Sequence, residues 1–576
     1  MFRSIVALVC LLPSLLLFAS EGHKPAYPSF DYQVARDHEI KPHRRAIPVV
    51  GMGEEYTSHQ LHLELTVSPT GDVTHAEAIN EDGDTRFWPQ LESEVYRWKF
   101  TPFEAGGKPV TAMVQEYIDL VPPERLPKTH IPPPVITKDS KVAITLLQWM
   151  CDGPCPLHSV TVSTDGIVFE GFNVATRGRH TDKIDNDAVI ALAKRLVAAD
   201  FYSMEDDYRY RGWDTLSSSL SITIDGHTKR VRDYEGQWVG MPSVIVELED
   251  EVDAVAHTDR WIGGGDGLVA ALRAEKFDFT SYDAQVILYE TAARGQTTTV
   301  RELLAAGVPL KPLPAPTTDN PYGGPFGKVR LLTAASRHPD TLRVFLDLGA
   351  SKEDQEDKDR ALDGAASAGK LEAVRALIAY GANPNVDFSK LWSTGGGLFS
   401  PGATASVAVG GEGAGSVLID AARSGNPDVV KEILRYGPKL EARDRKGKTA
   451  IFVAGVSTNS DGDGRSVECV RVLAKAGARV DARDKDGNTP LHKGYLLDVE
   501  EELLKLGADV NARNHDGETP IFTIMNDRVI PLFLQHGADL TIRNNRGETV
   551  MDARTGRGSR WDEALREAIA QMKHPQ

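Results

Sequence analysis

A block of about thirty residues recurs through the second half of the chain, and this period limits the fold to stacked repeats. Gly447-Lys448-Thr449-Ala450, Gly487-Asn488-Thr489-Pro490, Gly517-Glu518-Thr519-Pro520 and Gly547-Glu548-Thr549-Val550 stand in register, with glycine-to-glycine spacings of 40, 30 and 30 residues. Gly349-Ala350, Gly381-Ala382, Gly477-Ala478, Gly507-Ala508 and Gly537-Ala538 recur where a helix should end. Each position has a physical reason. Proline at the first helical position sacrifices no needed hydrogen bond, glycine after a helix accepts a left-handed cap, and Leu503, Leu504 and Leu506 give one helix a buried stripe. A single unit cannot bury that stripe alone, so neighbours must stack into an all-α solenoid over residues 283–572.

These residues resemble ankyrin repeats. Weaker units are expected at 283–312 and 330–352, better ones at 361–385 and 416–450, and the clearest over 447–547. Two units of 30 residues are shorter than usual and should have shortened helices or inner turns. Arg560 to Met572, with Trp561, Leu565 and Ile569, reads as a capping helix. The resemblance implies a protein partner held by the tips and the concave face. Arg443, Arg483, Arg513 and Arg543 occupy the same position of successive repeats, with Asn514 and His515 among their neighbours. Stacking turns them into a ladder at the tips, the expected partner-binding residues, because arginine often anchors interfaces. At exposed turns, their replacement is expected to change folding by no more than about 0.5 kcal/mol.

The search for an active centre fails on spacing. Residues 391–415 hold eight glycines among 25, but a phosphate cradle also needs a preceding strand and a following helix N-terminus, so this is an insertion between repeats. Gly447-Lys448-Thr449 imitates the end of a phosphate-binding loop, yet Ala442 replaces the leading glycine. Asn459, Asp461, Asp463 and Gly464 begin like a calcium loop, but Val470 stands where the bidentate glutamate belongs. His38-Glu39 lacks a second histidine, and Pro42 breaks the helix that such a zinc motif requires. His492 falls where an imidazole braces the repeat turn, and Cys469 falls on a buried helix face. No catalytic residue, metal ligand or cofactor is expected.

At about 150 residues per domain, 576 residues make three or four folded units. Residues 23–50 read as an extended lead-in. Leu61, Leu63, Leu65 and Val67 alternate as a half-buried strand, Ser68 to Asp72 turn it into a second strand at Val73 to Ile79, Phe87 to Trp98 has helical spacing, and Val110 to Leu120 closes the sheet. This α+β unit, 51–124, resembles the C-terminal domain of the TonB energy transducers through Gly71, Val73, Trp98-Lys99-Phe100-Thr101-Pro102 and Gly107-Lys108-Pro109-Val110. That resemblance implies contacts with partner proteins across a periplasm and no bond chemistry.

A proline-rich linker, 125–140, leads to a second α+β domain at 141–250, followed by a connector at 251–282. Strands flank turns at Asp165-Gly166 and Asp225-Gly226, and Asp187 to Ala199 is helical. With Cys151-Asp152-Gly153-Pro154-Cys155-Pro156 and Asp200-Phe201, the segment resembles a family of bacterial domains of unknown function marked by C-x-G-x-C-P. The acids Glu205, Asp206, Asp207 and Asp214 read as a solvated loop.

Arg3, the apolar run Ile5 to Phe18 and the small residues near 19–22 read as a cleaved export signal over 1–22; the competing reading is a retained membrane anchor, for which the run falls short of the roughly 20 apolar residues of a span. Export permits a bridge between Cys151 and Cys155, whose turn-forming insert could bring them together; two free thiols or a metal are the alternatives. Lys plus Arg total 65 against 82 Asp plus Glu, and a net charge of −17 disfavours nucleic acid. The expected protein is therefore a periplasmic interaction scaffold of a Gram-negative envelope, with α+β N-terminal domains, an all-α ankyrin solenoid, no catalysis and no membrane span after signal cleavage. The rivals are an enzyme in 141–250 to which the repeats recruit substrate, and an accessory of TonB-type outer-membrane transport.

Overall fold

The computed structural model describes residues 29–30, 46–48, 59–78, 87–105, 108–149, 157–172, 174–210, 217–310, 330–388, 415–456, 465–494, 496–524 and 529–554. The signal segment, Cys151 and Cys155, the insertion at 391–414, the residues 459–464 and the helix expected at 560–572 lie outside them. The chain divides into two compact units, one holding 60–118 and the other 119–576, with short N-terminal segments assigned to each.

In the first unit the alternating strand forms as expected. His59–Val67 pairs antiparallel with Val73–Ala78, and Ala112–Val121 lies on the other side of His59–Val67. Leu61, Leu63, Leu65 and Val67 are buried together with Leu91 and Val95 of the helix Trp88–Val95. Gly71 closes the first hairpin at φ +85°, and a Cβ there would strike the carbonyl oxygen of Phe100. The Gly71 carbonyl in turn accepts from the Phe100 amide at 2.9 Å. Glycine at 71 is thus dictated by both the left-handed turn and the close strand crossing.

The second unit begins with a seven-stranded sheet. Its order is Gly178–Asp182, Gly166–Gly171, His158–Ser163, Val142–Trp149, Ser217–Ile224, His227–Tyr234, Asp207–Arg209. All pairings are antiparallel except the last, which is parallel. The buried residues of one face, Val142, Ile144 and Leu146 on one strand and Leu220, Ile222 and Ile224 on its neighbour, alternate with residues of the other face. Helices Asn186–Ala198 and Val244–Ala256 cover the apolar face, the first started by Asp185, whose carboxylate accepts from the Asp187 amide at 3.0 Å.

The stretch expected as a connector, 251–282, is helical and buried. Val244–Ala256 runs through its start, and short helices follow at Asp259–Ile262 and Leu268–Ala274. Trp261 is 1% exposed, its carbonyl accepts from the Thr176 amide at 3.0 Å, and Glu275 bonds His180 at 3.0 Å. Apolar positions every three to four residues, Leu268, Val269 and Leu272, bury this segment and run the core on into the repeats.

Among the described residues the solenoid comprises seven helix pairs, from Tyr282–Ala293 with Thr297–Ala305 to Pro520–Thr523 with Ile530–Gln535, and Val550–Arg554 begins an eighth. First helices pack on first helices and second on second, in two columns. The 30-residue period is met by cutting the inner helix to a single turn, Pro490–Lys493 in one repeat and Pro520–Thr523 in the next, while the outer helix Leu497–Lys505 keeps its length. An α+β region followed by an all-α repeat array is the architecture read from the sequence.

Candidate functional site

The tips of the last four repeats are built from one repeated bonding pattern. A carboxylate or amide oxygen at the turn's first position accepts two backbone N–H groups: Asp444 from Lys446 and Lys448 at 2.9 and 2.8 Å, Asp484 from Asp486 and Asn488 at 3.0 and 2.8 Å. Asn514 accepts from Asp516 and Glu518 at 3.0 and 2.9 Å, and Asn544 from Arg546 and Glu548 at 2.9 and 3.0 Å. Short side chains of this type fold the turn from within. Successive tips are then joined through the backbone: Lys485 donates to the Lys446 carbonyl and His515 to that of Asp486, each at 2.9 Å, and Asn545 to that of Asp516 at 2.8 Å.

The arginine ladder lies on this seam. Arg443, Arg483 and Arg543 donate to the carbonyls of Gly447, Gly487 and Gly547, at 2.7, 2.8 and 2.5 Å, and Arg513 donates through Nε to Gly517 at 3.2 Å. Each of the first three also reaches the carbonyl of the next arginine: Arg443 to Arg483, Arg483 to Arg513 at 2.5 Å, and Arg513 to Arg543 at 2.8 Å. The guanidinium groups are exposed, but they also bond one repeat to the next, which argues for a larger cost on their loss than the about 0.5 kcal/mol expected from exposed turns. Arg483→Ala should cost about 1–2 kcal/mol, since two charge-assisted bonds are lost. Lys485→Ala on the same tip should stay within about 0.5 kcal/mol. Denaturant midpoints of the two variants check this, and equal midpoints would refute the brace.

Of the other expected tip residues, Asn514 shapes its turn and also donates through Nδ2 to the Asn488 side chain at 3.0 Å. His515 is exposed, and a Cβ added to Gly487 of the preceding repeat would touch its ring, so the imidazole lies across the joint between tips. Around the ladder the surface is basic. Over 443–448, 483–488, 513–518 and 543–548 there are nine Lys and Arg against six Asp and Glu, and two of those acids, Asp444 and Asp484, are buried in their turns. In a chain of net charge −17 this is a local reversal of sign.

The residues dismissed from the sequence find structural partners. His492 is fully buried, with Nδ1 accepting from the Thr489 amide at 3.1 Å and Nε2 donating to the Glu518 carbonyl at 3.1 Å. Lys448 lies over the Phe452 ring, 5.3 Å from its centroid. Cys469 is buried. Glu205, Asp206 and Asp207 pair with Arg125, Lys229 and Arg209 at 3.9, 2.5 and 3.2 Å, while Asp214 lies outside the described residues.

Sequence reasoning missed a polar layer in the sheet domain. Across four strands His158, Gln148, Ser218 and Asp233 stand side by side in register, next to the apolar row Val160, Leu146, Leu220 and Val231. Glu249 and Asp253 of the helix Val244–Ala256 descend on this row. Ser218 donates to Glu249 at 2.5 Å, and His158 Nε2 lies 3.4 Å from Asp253, which also accepts from Thr258 at 2.8 Å. Burial first, and the charges of Asp233, Asp250 and Asp253 after it, push the Glu249 carboxyl up to about 8 against the pull of the Ser218 hydroxyl. Burial likewise raises Asp233, which accepts from the Gly236 amide at 2.7 Å. The one available signal was Glu249 itself, on the same helical stripe as Ile245, Leu248 and Val252, where an apolar residue is usual.

Comparison with known proteins follows these boundaries. Residues 142–256 match a family described as a domain of unknown function, DUF6438, and residues 418–511 match ankyrin repeats in three copies. A stretch of 181 residues is 29% identical to the transient receptor potential cation channel subfamily A member 1 homolog of Caenorhabditis elegans, covering 31% of this chain and 12% of that protein. What the two share is the ankyrin region. No helix among the described residues is long and apolar enough to cross a membrane. The chain therefore carries a DUF6438 domain followed by ankyrin repeats.

Proposed function

We propose that this protein is an exported interaction scaffold of a Gram-negative envelope, without bond chemistry of its own, that holds an acidic protein surface along the tips of its last four repeats. The reversal of charge at the tips carries this reading. An array stitched through Arg443, Arg483 and Arg513 presents Lys446, Lys485 and His515 on a rigid edge, so little ordering entropy opposes binding. A protein partner is favoured over nucleic acid because Asp486 and Asp516 interrupt the basic edge and the chain as a whole repels phosphate. Export rests on Arg3 and the apolar run Ile5 to Phe18, and the periplasm on these together with the TonB-like strands and turn at Gly71. In that compartment Cys151 and Cys155 would be bridged.

A photo-crosslinking residue at position 515, in intact cells, is expected to trap a partner in a salt-sensitive way, and Lys446→Glu with Lys485→Glu to abolish the adduct while the array stays folded. An adduct indifferent to both charge reversals would overturn the tip reading. In the same cells the mature chain should begin between residues 20 and 23, with Cys469 alone alkylated after unfolding without reductant. An intact Met1 in the envelope fraction would refute cleavage.

A further inference from the structure

The polar layer of the DUF6438 domain has no part in the repeat surface. Its composition is unbalanced. Glu249, Asp250, Asp253 and Asp233 supply carboxyl groups, and among the described residues the base in contact with them is His158. Arg195, on the helix packed alongside, is turned to the other flank, where it bonds Glu251 at 3.0 Å and Glu247 at 3.4 Å. The Tyr208 phenol, in the same row beyond Asp233, accepts from the Glu205 amide at 3.2 Å. The protein's donors bonded to these carboxyls are the hydroxyls of Ser218 and Thr258 and the Gly236 amide, while the Gln148 side-chain amide and the proton on Glu249 are further donors in the row.

The carboxyls outnumber the bases, and one acceptor of the layer is idle. His158 is 4% exposed, its ring stacked 5.6 Å from that of Phe169. With Nε2 donating to Asp253, its Nδ1 is a buried acceptor bonded to none of the described residues. A buried acceptor without a donor costs stability, and so does a carboxyl held away from its charge. Evolution tolerates such costs at sites that bind something. Glu249 keeps 8% of its surface, and Gln148 and Asp233 are half-buried.

We propose that this layer binds an organic ammonium group, carried by a lysine side chain of a peptide or by a free diamine. Such a group brings the missing positive charge and three donors to a place rich in acceptors. A bare metal ion fits less well, since no three His, Cys, Asp or Glu side chains among the described residues converge at ligating distance. On binding, the carboxyl proton of Glu249 passes to solvent and the carboxylate pairs with the ammonium, which keeps its own protons.

The test is calorimetry on the full chain, in buffers of different ionisation heat, with cadaverine and with acetyl-Gly-Lys-Gly-amide as probes. At least one probe is expected to bind with release of about one proton at pH 7, its affinity rising about tenfold per pH unit from 6 to 8. Cadaverine alone points to a free amine, and the peptide alone to a lysine side chain. Glu249→Gln should fold, because its amide oxygen still accepts from Ser218, and should flatten the pH dependence. Asp253→Asn should weaken binding at least tenfold while leaving the slope in place. No binding of either probe at about 10 mM, an unchanged slope in Glu249→Gln, or equal proton release with magnesium or calcium chloride would overturn the proposal.

Discussion

Glu249→Gln is expected to stabilise the DUF6438 domain at pH 7 by about 3 kcal/mol, the energy of holding a proton on a carboxyl that ionises near 4.5 when unfolded and near 8 when folded. The sign follows from proton counting. Between those two values the folded state carries a proton that the unfolded chain has lost, so stability falls as pH rises from 4.5 through 8 and is fully recovered below 4.5. Glutamine keeps the oxygen that accepts from Ser218 and removes the ionisation. The difference between variant and parent should therefore grow with pH and level off above 8. Denaturant midpoints at pH 5, 7 and 9 measure it. A difference that does not change with pH would mean that Glu249 ionises freely and that the layer is ordinary surface.

Such a buried carboxyl is hard to read from a linear chain. The repeats were legible because their information is local and recurrent: a glycine in the left-handed region, a threonine before the helix and an apolar stripe lie within one period, four times over. The hairpins of the sheet were legible through Asp225-Gly226 and through the alternation in Leu61 to Val67. The polar layer joins residues 31 and 95 positions apart, Ser218 with Glu249 and His158 with Asp253, and only the antiparallel register of three strands places them in one row. The ladder is an intermediate case. Its spacing was evident, but whether a guanidinium faces a partner or the next repeat's carbonyl depends on how closely the tips stack. That distance is set by backbone bonds such as Lys485 to Lys446. Similarly, residues 251–282 lack a repeat signature and so read as a connector, although Trp261 and Leu272 bury them in one core with their neighbours.

The repeat array should respond to acid in the opposite direction from the sheet domain. His492 is held neutral by two bonds whose polarity is fixed by the partners. The Thr489 amide can only donate, so Nδ1 must carry a lone pair, and the Glu518 carbonyl can only accept, so Nε2 must carry the proton. The Thr489 hydroxyl, 2.9 Å from Nδ1, adds a further bond. Protonating Nδ1 would break this end of the network and place a charge where none of the ring reaches water. Burial accordingly lowers the imidazole to about 4, with Arg483 and Lys493 adding to the effect, while the Glu518 carbonyl and Asp484 oppose it. Because the unfolded imidazole takes up its proton near 6.5, the array should be most stable above that value and lose up to about 3 kcal/mol as pH falls from 6.5 to 4. Comparing His492→Gln with the parent isolates this contribution, since every other titrating group is common to both. The variant is expected to be less stable at pH 7, where the brace is intact in the parent, and to lose most of that deficit by pH 4. A deficit that stays constant over this range would show that His492 takes up its proton without cost, and no deficit at all that Thr489 and Glu518 hold the turn without it.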